Sequence, residues 1–204
     1  VYRDNNTSST ANVIPVASNF YVESMGSLYM ATSDKVTVGG DCTIDEDVQT
    51  KQIEILKDSN VKIAEGVTVT NTSSGKKALT STITGNIENL GTWNVNGPVD
   101  VTGTFVNRGT LNLTGNIQTT SAFDNYGVMT ADSAETFTIG SASKLINHEG
   151  AMFTFGKLAN SGMIVNYGDL RQLVTTNSLG TGSILTTTVP DFKYKLNNYR
   201  TVYY

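Results

Sequence analysis

ITGNIENLGTWNVNGPVD (83–100), VTGTFVNRGTLNLTGNIQ (101–118) and TTSAFDNYGVMTADSAET (119–136) are three consecutive 18-residue segments that align without a gap. Asn89, Asn107 and Asn125 share one column, and Gly91, Gly109 and Gly127 another. Two positions before each Asn stands a large apolar residue, Ile87, Phe105 or Phe123. Two positions after each Gly stands a second, Trp93, Leu111 or Met129, and a third apolar column holds Val95, Leu113 and Ala131. A unit this short cannot enclose a core of its own, so a short fixed period implies units that stack and share one.

Within each unit apolar and polar residues alternate, as in Leu111-Asn112-Leu113-Thr114, which is the period of a strand. The Asn-x-Gly and Thr-Gly corners leave no room for the ten or so residues of 3.6-residue periodicity that a helix needs. The reading is therefore all-β: a single-stranded parallel β-helix with coils of about 18 residues, right-handed by the crossover rule and capped at both ends. Strands of successive coils lie about 4.8 Å apart, so equivalent residues form ladders. Asn71, Asn89, Asn107 and Asn125, with Gly91, Gly109, Gly127, Gly150 and Gly168, are the expected corner ladder. Asn and Gly accept tight turns, and stacked Asn side chains pass amide hydrogen bonds from coil to coil.

Outward from the clean repeats the register loosens. Val36 and Val38 precede Ile53 and Ile55 by one position less than the clean period, and Ile44 precedes Val61 by the same interval. Val67, Val69 and Asn71 lie one full period before Gly85, Ile87 and Asn89, which is why Asn71 is placed in the Asn column. Ser73 to Lys77 reads as a loop at the edge of a coil. After 136 the step from Asn125 to Asn147 exceeds the clean period by four positions, with Gly140 to Ser143 as the inserted loop, and the clean spacing returns between Gly150 and Gly168. Residues 1–34 are expected to be an irregular cap or linker, 35–175 the β-helix, in seven or eight turns, and 176–204 a C-terminal β-hairpin cap.

The composition agrees: 30 Thr, 20 Asn and 19 Gly against 16% charged residues is the content of strands and corners. A net charge of −4 argues against nucleic acid as a partner, because phosphate binding needs a basic surface. No apolar run is long enough to span a membrane. The chain opens at Val1 without a Met, which suggests a processed or excised piece, and a secretion signal is an expectation for the true N-terminus.

Few residues offer chemistry. Saccharide hydrolysis wants two carboxylates converging within roughly 5–10 Å. Glu88 and Asp124 share a column, but Val106 stands between them, and Asp100 aligns with Gln118 and Thr136, so no acidic ladder forms. Asp41, Asp45 and Asp47, beside Glu46, are an oxygen-rich cluster of the kind that holds calcium, without the spacing of an EF-hand loop. His148, the sole histidine, has no partner His or Cys for a metal site. Trp93 shares its column with Leu111 and Met129 and is assigned to the core. Tyr126 and Tyr167, each between a corner Asn and Gly, point outward and are the candidate ligand contacts. Cys42 is alone, so no internal disulfide forms, and it is read as a buried spectator. No cofactor is implied.

Asn107-Arg108-Gly109-Thr110-Leu111 and Asn89-Leu90-Gly91-Thr92-Trp93 resemble the N-x-G-T-hydrophobic repeats of bacterial parallel β-helix surface proteins, such as autotransporter passengers and filamentous-haemagglutinin-type adhesins. The resemblance covers about 66–170 and is specific for architecture. It implies an extracellular or cell-surface, non-enzymatic protein with a structural or adhesive role, whose partner is a glycan or a host surface protein. The alternative it leaves open is a carbohydrate-active β-helix, either a polysaccharide lyase or hydrolase or a receptor binder similar to a phage tail-spike. Asp132-Ser133-Ala134 also resembles an O-glycosylation triplet of some Gram-negative anaerobes.

Overall fold

The computed structural model describes residues 20–21, 28–29, 35–45, 47–73, 80–131, 136–173, 181–188, 191 and 200–203. The expected N-terminal cap falls largely outside these residues, as do most of the 73–77 loop, the 132–134 triplet and residues 192–196 of the expected hairpin.

The alternating segments form strands of two to four residues, and every strand pairing among the described residues is parallel. The pairs assemble three sheets of ten, eight and seven strands, in which each strand lies beside its counterpart one coil away. The result is an all-β solenoid of about seven turns, with no helix among the described residues. Each complete coil contributes one strand to each sheet, as Phe105–Asn107, Thr110–Leu113 and Ile117–Thr119 do.

Period-two burial explains why these residues make strands. Along Thr110–Leu113 the side chains of Leu111 and Leu113 are buried while Thr110 and Asn112 face outward. The columns read from the sequence are the ladders of the interior: Ile87, Phe105 and Phe123 are in register, as are Trp93, Leu111 and Met129, and Val95, Leu113 and Ala131. Phe105 stacks on Phe123 with ring centroids 4.5 Å apart and planes within 4°. Trp93 is fully buried and stacks on Phe105 from the other side. Aromatic pairs of this kind contribute about 0.5–1.5 kcal/mol beyond their buried area.

The irregular coils depart from the expected register in instructive ways. Val36 and Val38 do pair with Ile53 and Ile55. Ile44, however, pairs with Ile63, and it is Cys42 that faces Val61. Asn71 does not join the Asn column: it pairs with Val95 in another sheet, and Ile63 lies beneath Asn89. The coil that carries Asn60 into register with Asn86 is well longer than the clean repeat, and the insertion at its edge made the match of Asn71 to the clean spacing coincidental. After Asn125 the four extra residues enter at two corners: the step grows by two from Ile117 to Phe137 and by four from Ala122 to Lys144. Gly150 lies outside the glycine column as well, because Met152 pairs with both Val128 and Asp169, which puts Ala151 between Gly127 and Gly168.

Beyond residue 175 the coil continues. Ser183–Thr186 pairs in parallel with Met163–Asn166, and Arg200–Tyr203 pairs in parallel with Ser183–Thr186. Two strands of the segment expected to form a hairpin cap therefore extend the ten-stranded sheet.

Candidate ligand-binding strip

The Asn of each Asn-x-Gly corner points inward, and the x residue points out. Asn89, Asn107, Asn125, Asn147 and Asn166 are fully buried. Each of the first four donates its amide to the Oδ1 of the next at 2.7–2.8 Å. This ladder fixes one corner in each coil from Asn89 to Asn166. It also lines up the residues that follow each Asn: Leu90, Arg108, Tyr126, His148 and Tyr167. Their backbone N–H groups donate to the carbonyls of Ile63, Asn89, Asn107, Asn125 and Asn147 respectively, which holds the file in step with the coils.

The outer file is organised by its own contacts. The Arg108 guanidinium lies over the Tyr126 ring, 4.3 Å from its centroid, and its Nε donates to Glu88 Oε1 at 2.8 Å. His148 stacks on Tyr126 with centroids 3.7 Å apart and planes within 9°, and its Nε2 lies 2.8 Å from Asp124 Oδ1. Arg108 comes from the coil before Tyr126 and His148 from the coil after, so both faces of the Tyr126 ring are covered. Tyr126, 40% exposed, presents its edge and hydroxyl. Tyr167, 44% exposed, has no aromatic ring of the described residues stacked on it.

The two sequence-selected tyrosines therefore belong to one file, with unlike roles within it. Reading residues singly missed Arg108 and set Asp124 and His148 aside. The signal was available in the Asn-x-Gly columns once the longer step after Asn125 is treated as an insertion, because Asn147-His148 then falls in the file. His148, read as having no metal-site partner, does engage a carboxylate. Glu88 and Asp124 are in register two coils apart with Val106 between them, and each is already engaged, by Arg108 and by His148.

The acidic cluster near the N-terminal end is used by its neighbours. Asp41 Oδ1 accepts from Asn60 Nδ2, and Asp47 Oδ1 accepts from the backbone N–H of Thr68. Among the described residues no three His, Cys, Asp or Glu side chains come together in a way that would hold a metal ion. Cys42 is buried, and burial, with Asp45 adding to it, pushes its thiol up to about 11. The hydrogen bond from Lys35 holds Glu54 below the usual carboxylate range. Among the described residues no helix is long and apolar enough to cross a membrane. Compared with protein-family models, curated proteins and solved structures, the chain matches none.

Proposed function

We propose that this chain is a non-enzymatic β-solenoid of a secreted or cell-surface protein, with a structural and adhesive role, that offers the Arg108–Tyr126–His148–Tyr167 strip to a glycan or a surface protein. The observation that carries this reading is the division of labour at one corner. The inward Asn ladder holds the coil, whereas the outward file carries aromatic and charged groups in contact over successive coils. Exposed aromatic side chains beside arginine are the usual anchors of recognition surfaces. The resemblance of the N-x-G-T repeats to bacterial surface solenoids supports an extracellular setting.

A second reading, a carbohydrate-active solenoid, draws on the Asp124–His148 hydrogen bond beside Tyr126. The first reading is favoured because Glu88 and Asp124 are each held by a neighbouring side chain and do not face one another across a cleft. The test is a glycan array and a cell-binding assay run beside a panel of polysaccharide-cleavage assays. Binding without depolymerisation is the expected result. Depolymerisation abolished by Asp124→Asn or Glu88→Gln would replace the adhesive reading with the enzymatic one.

A further inference from the structure

Resting on the adhesive reading of the same strip, we infer that its ligand is an uncharged saccharide, seated on the ring face of Tyr167. The charges of the strip argue against an acidic ligand. The one arginine in the file is bonded to Glu88, and His148 is hydrogen-bonded to Asp124. Glu149, next to His148, adds another negative charge, as part of a chain whose net charge is −4. In the file, a sulfated, sialylated or uronate sugar would meet only cations already bonded to carboxylates, with Glu149 adding repulsion. An uncharged sugar suits both kinds of group on offer. Its hydroxyls donate to the carboxylate lone pairs that Arg108 and His148 leave unused, and they accept from the Tyr126 hydroxyl.

The ring faces decide which tyrosine it sits on. A pyranose presents C–H groups to an aromatic face, whose quadrupole is negative, and needs that face bare. Tyr126 has the Arg108 guanidinium on one face and the His148 imidazole on the other. Tyr167 continues the file one coil further on, 44% exposed, with His148 before it, Thr187 after it and no ring of the described residues stacked on it, so it is the more open of the two rings. Tyr126 then acts as a positioning residue, fixing Arg108 and His148, and with them the two carboxylates.

The experiment is isothermal titration of the intact chain with neutral oligosaccharides and with their uronate and sulfated counterparts, chosen from an array screen. Variants Tyr167→Ala, Tyr167→Phe and Tyr126→Ala are titrated alongside, with thermal melts confirming the fold. The expected result is affinity for neutral sugars only, lost by tenfold or more in Tyr167→Ala and retained in Tyr167→Phe. Preference for acidic sugars overturns the inference and leaves the adhesive reading standing. So does neutral binding that Tyr167→Ala does not change, and so does attachment to cells with no glycan bound. Absence of both glycan binding and cell attachment removes the inference and the adhesive reading together.

Discussion

Asn89 donates its amide to Asn107 Oδ1 at 2.8 Å but receives nothing on its own Oδ1, which is buried without a partner because the residue in register beneath it is Ile63. The ladder therefore has a defined start, and its polarity is uniform: each amide points toward the C-terminal end. At that end Asn166 donates to the hydroxyls of Thr186 and Thr188, and threonine closes the series.

Removing an interior member should therefore cost more than removing the first. Asn107→Ala deprives Asn125 Oδ1 of its donor and leaves Asn89 Oδ1 orphaned, so the ladder goes from one buried unpaired oxygen to two. Asn89→Ala orphans Asn107 Oδ1 but deletes its own, so the number stays at one. A buried acceptor left unmade costs about 1–3 kcal/mol, and Asn107→Ala should be the less stable variant by about that amount. Urea unfolding of both variants measures it; equal losses would mean that Asn89 Oδ1 is satisfied in solution.

Two glycines separate space from backbone conformation. A Cβ on Gly109 would sit 2.0 Å from the carbonyl oxygen of Gly91 in the coil below, and neither backbone can yield without shearing the stack. Gly150 has φ of +78° in a turn where an added Cβ meets nothing within 4 Å. Gly150→Ala should cost about 1–2 kcal/mol, the ordinary cost of a side chain in the left-handed region, and Gly150→Asn less. Gly109→Ala should cost about 3 kcal/mol or more. Thermal melts of the three variants rank them, and a mild Gly109→Ala would contradict the close approach of successive corners.

These two positions also show what the sequence disclosed. Where coils are uniform, as from Ile87 to Phe123, equal spacing is equal register, and the columns could be read directly. Where a corner carries an insertion, spacing loses its meaning, because the strand re-enters register after whatever length the loop has. Asn71 precedes Asn89 by one full period and yet lies in a different sheet, and Gly150 precedes Gly168 by the same interval and yet lies outside the ladder. The outer strip was only half legible for a related reason. Outward positions carry no apolar periodicity to mark them, so Arg108 and His148 become visible only once the inward Asn column fixes the coils above and below.

Asn71 has a separate role. Its Oδ1 accepts from the indole N–H of the fully buried Trp93 at 2.8 Å, and its amide donates to Ser81 Oγ at 2.7 Å, which also accepts the backbone N–H of Ile53. Trp93→Phe keeps an aromatic ring beside Phe105 but leaves Asn71 Oδ1 without the indole donor, at a cost of about 2–4 kcal/mol once the lost volume is included. Substituting both partners, as Trp93→Phe with Asn71→Leu, removes the orphan. The double variant should recover about 1 kcal/mol or more relative to the sum of the single variants. Additive losses in a double-mutant cycle would show that the hydrogen bond does not couple these two residues, which lie on neighbouring strands of the eight-stranded sheet.

Cys42 supplies a prediction with a definite sign. Its thiol is pushed from 9.0 to about 11 by burial first and by Asp45 second, so at pH 8 the folded chain should hold about a hundredfold less thiolate than the unfolded one. Iodoacetamide should therefore label it at least about a hundredfold more slowly in native buffer than in denaturant. The same shift makes stability depend on pH. Below about pH 9 both states keep the proton and the contribution is fully present. Between 9 and 11 the unfolded chain gives up its proton first, and the contribution drains away as pH rises through the folded value. Cys42→Ala isolates the effect from the titration of lysines: the stability difference between the parent chain and this variant should shrink between pH 8 and pH 10.5. If that difference is constant over the interval, while labelling stays slow, the thiol is protected by access alone and its proton affinity is ordinary.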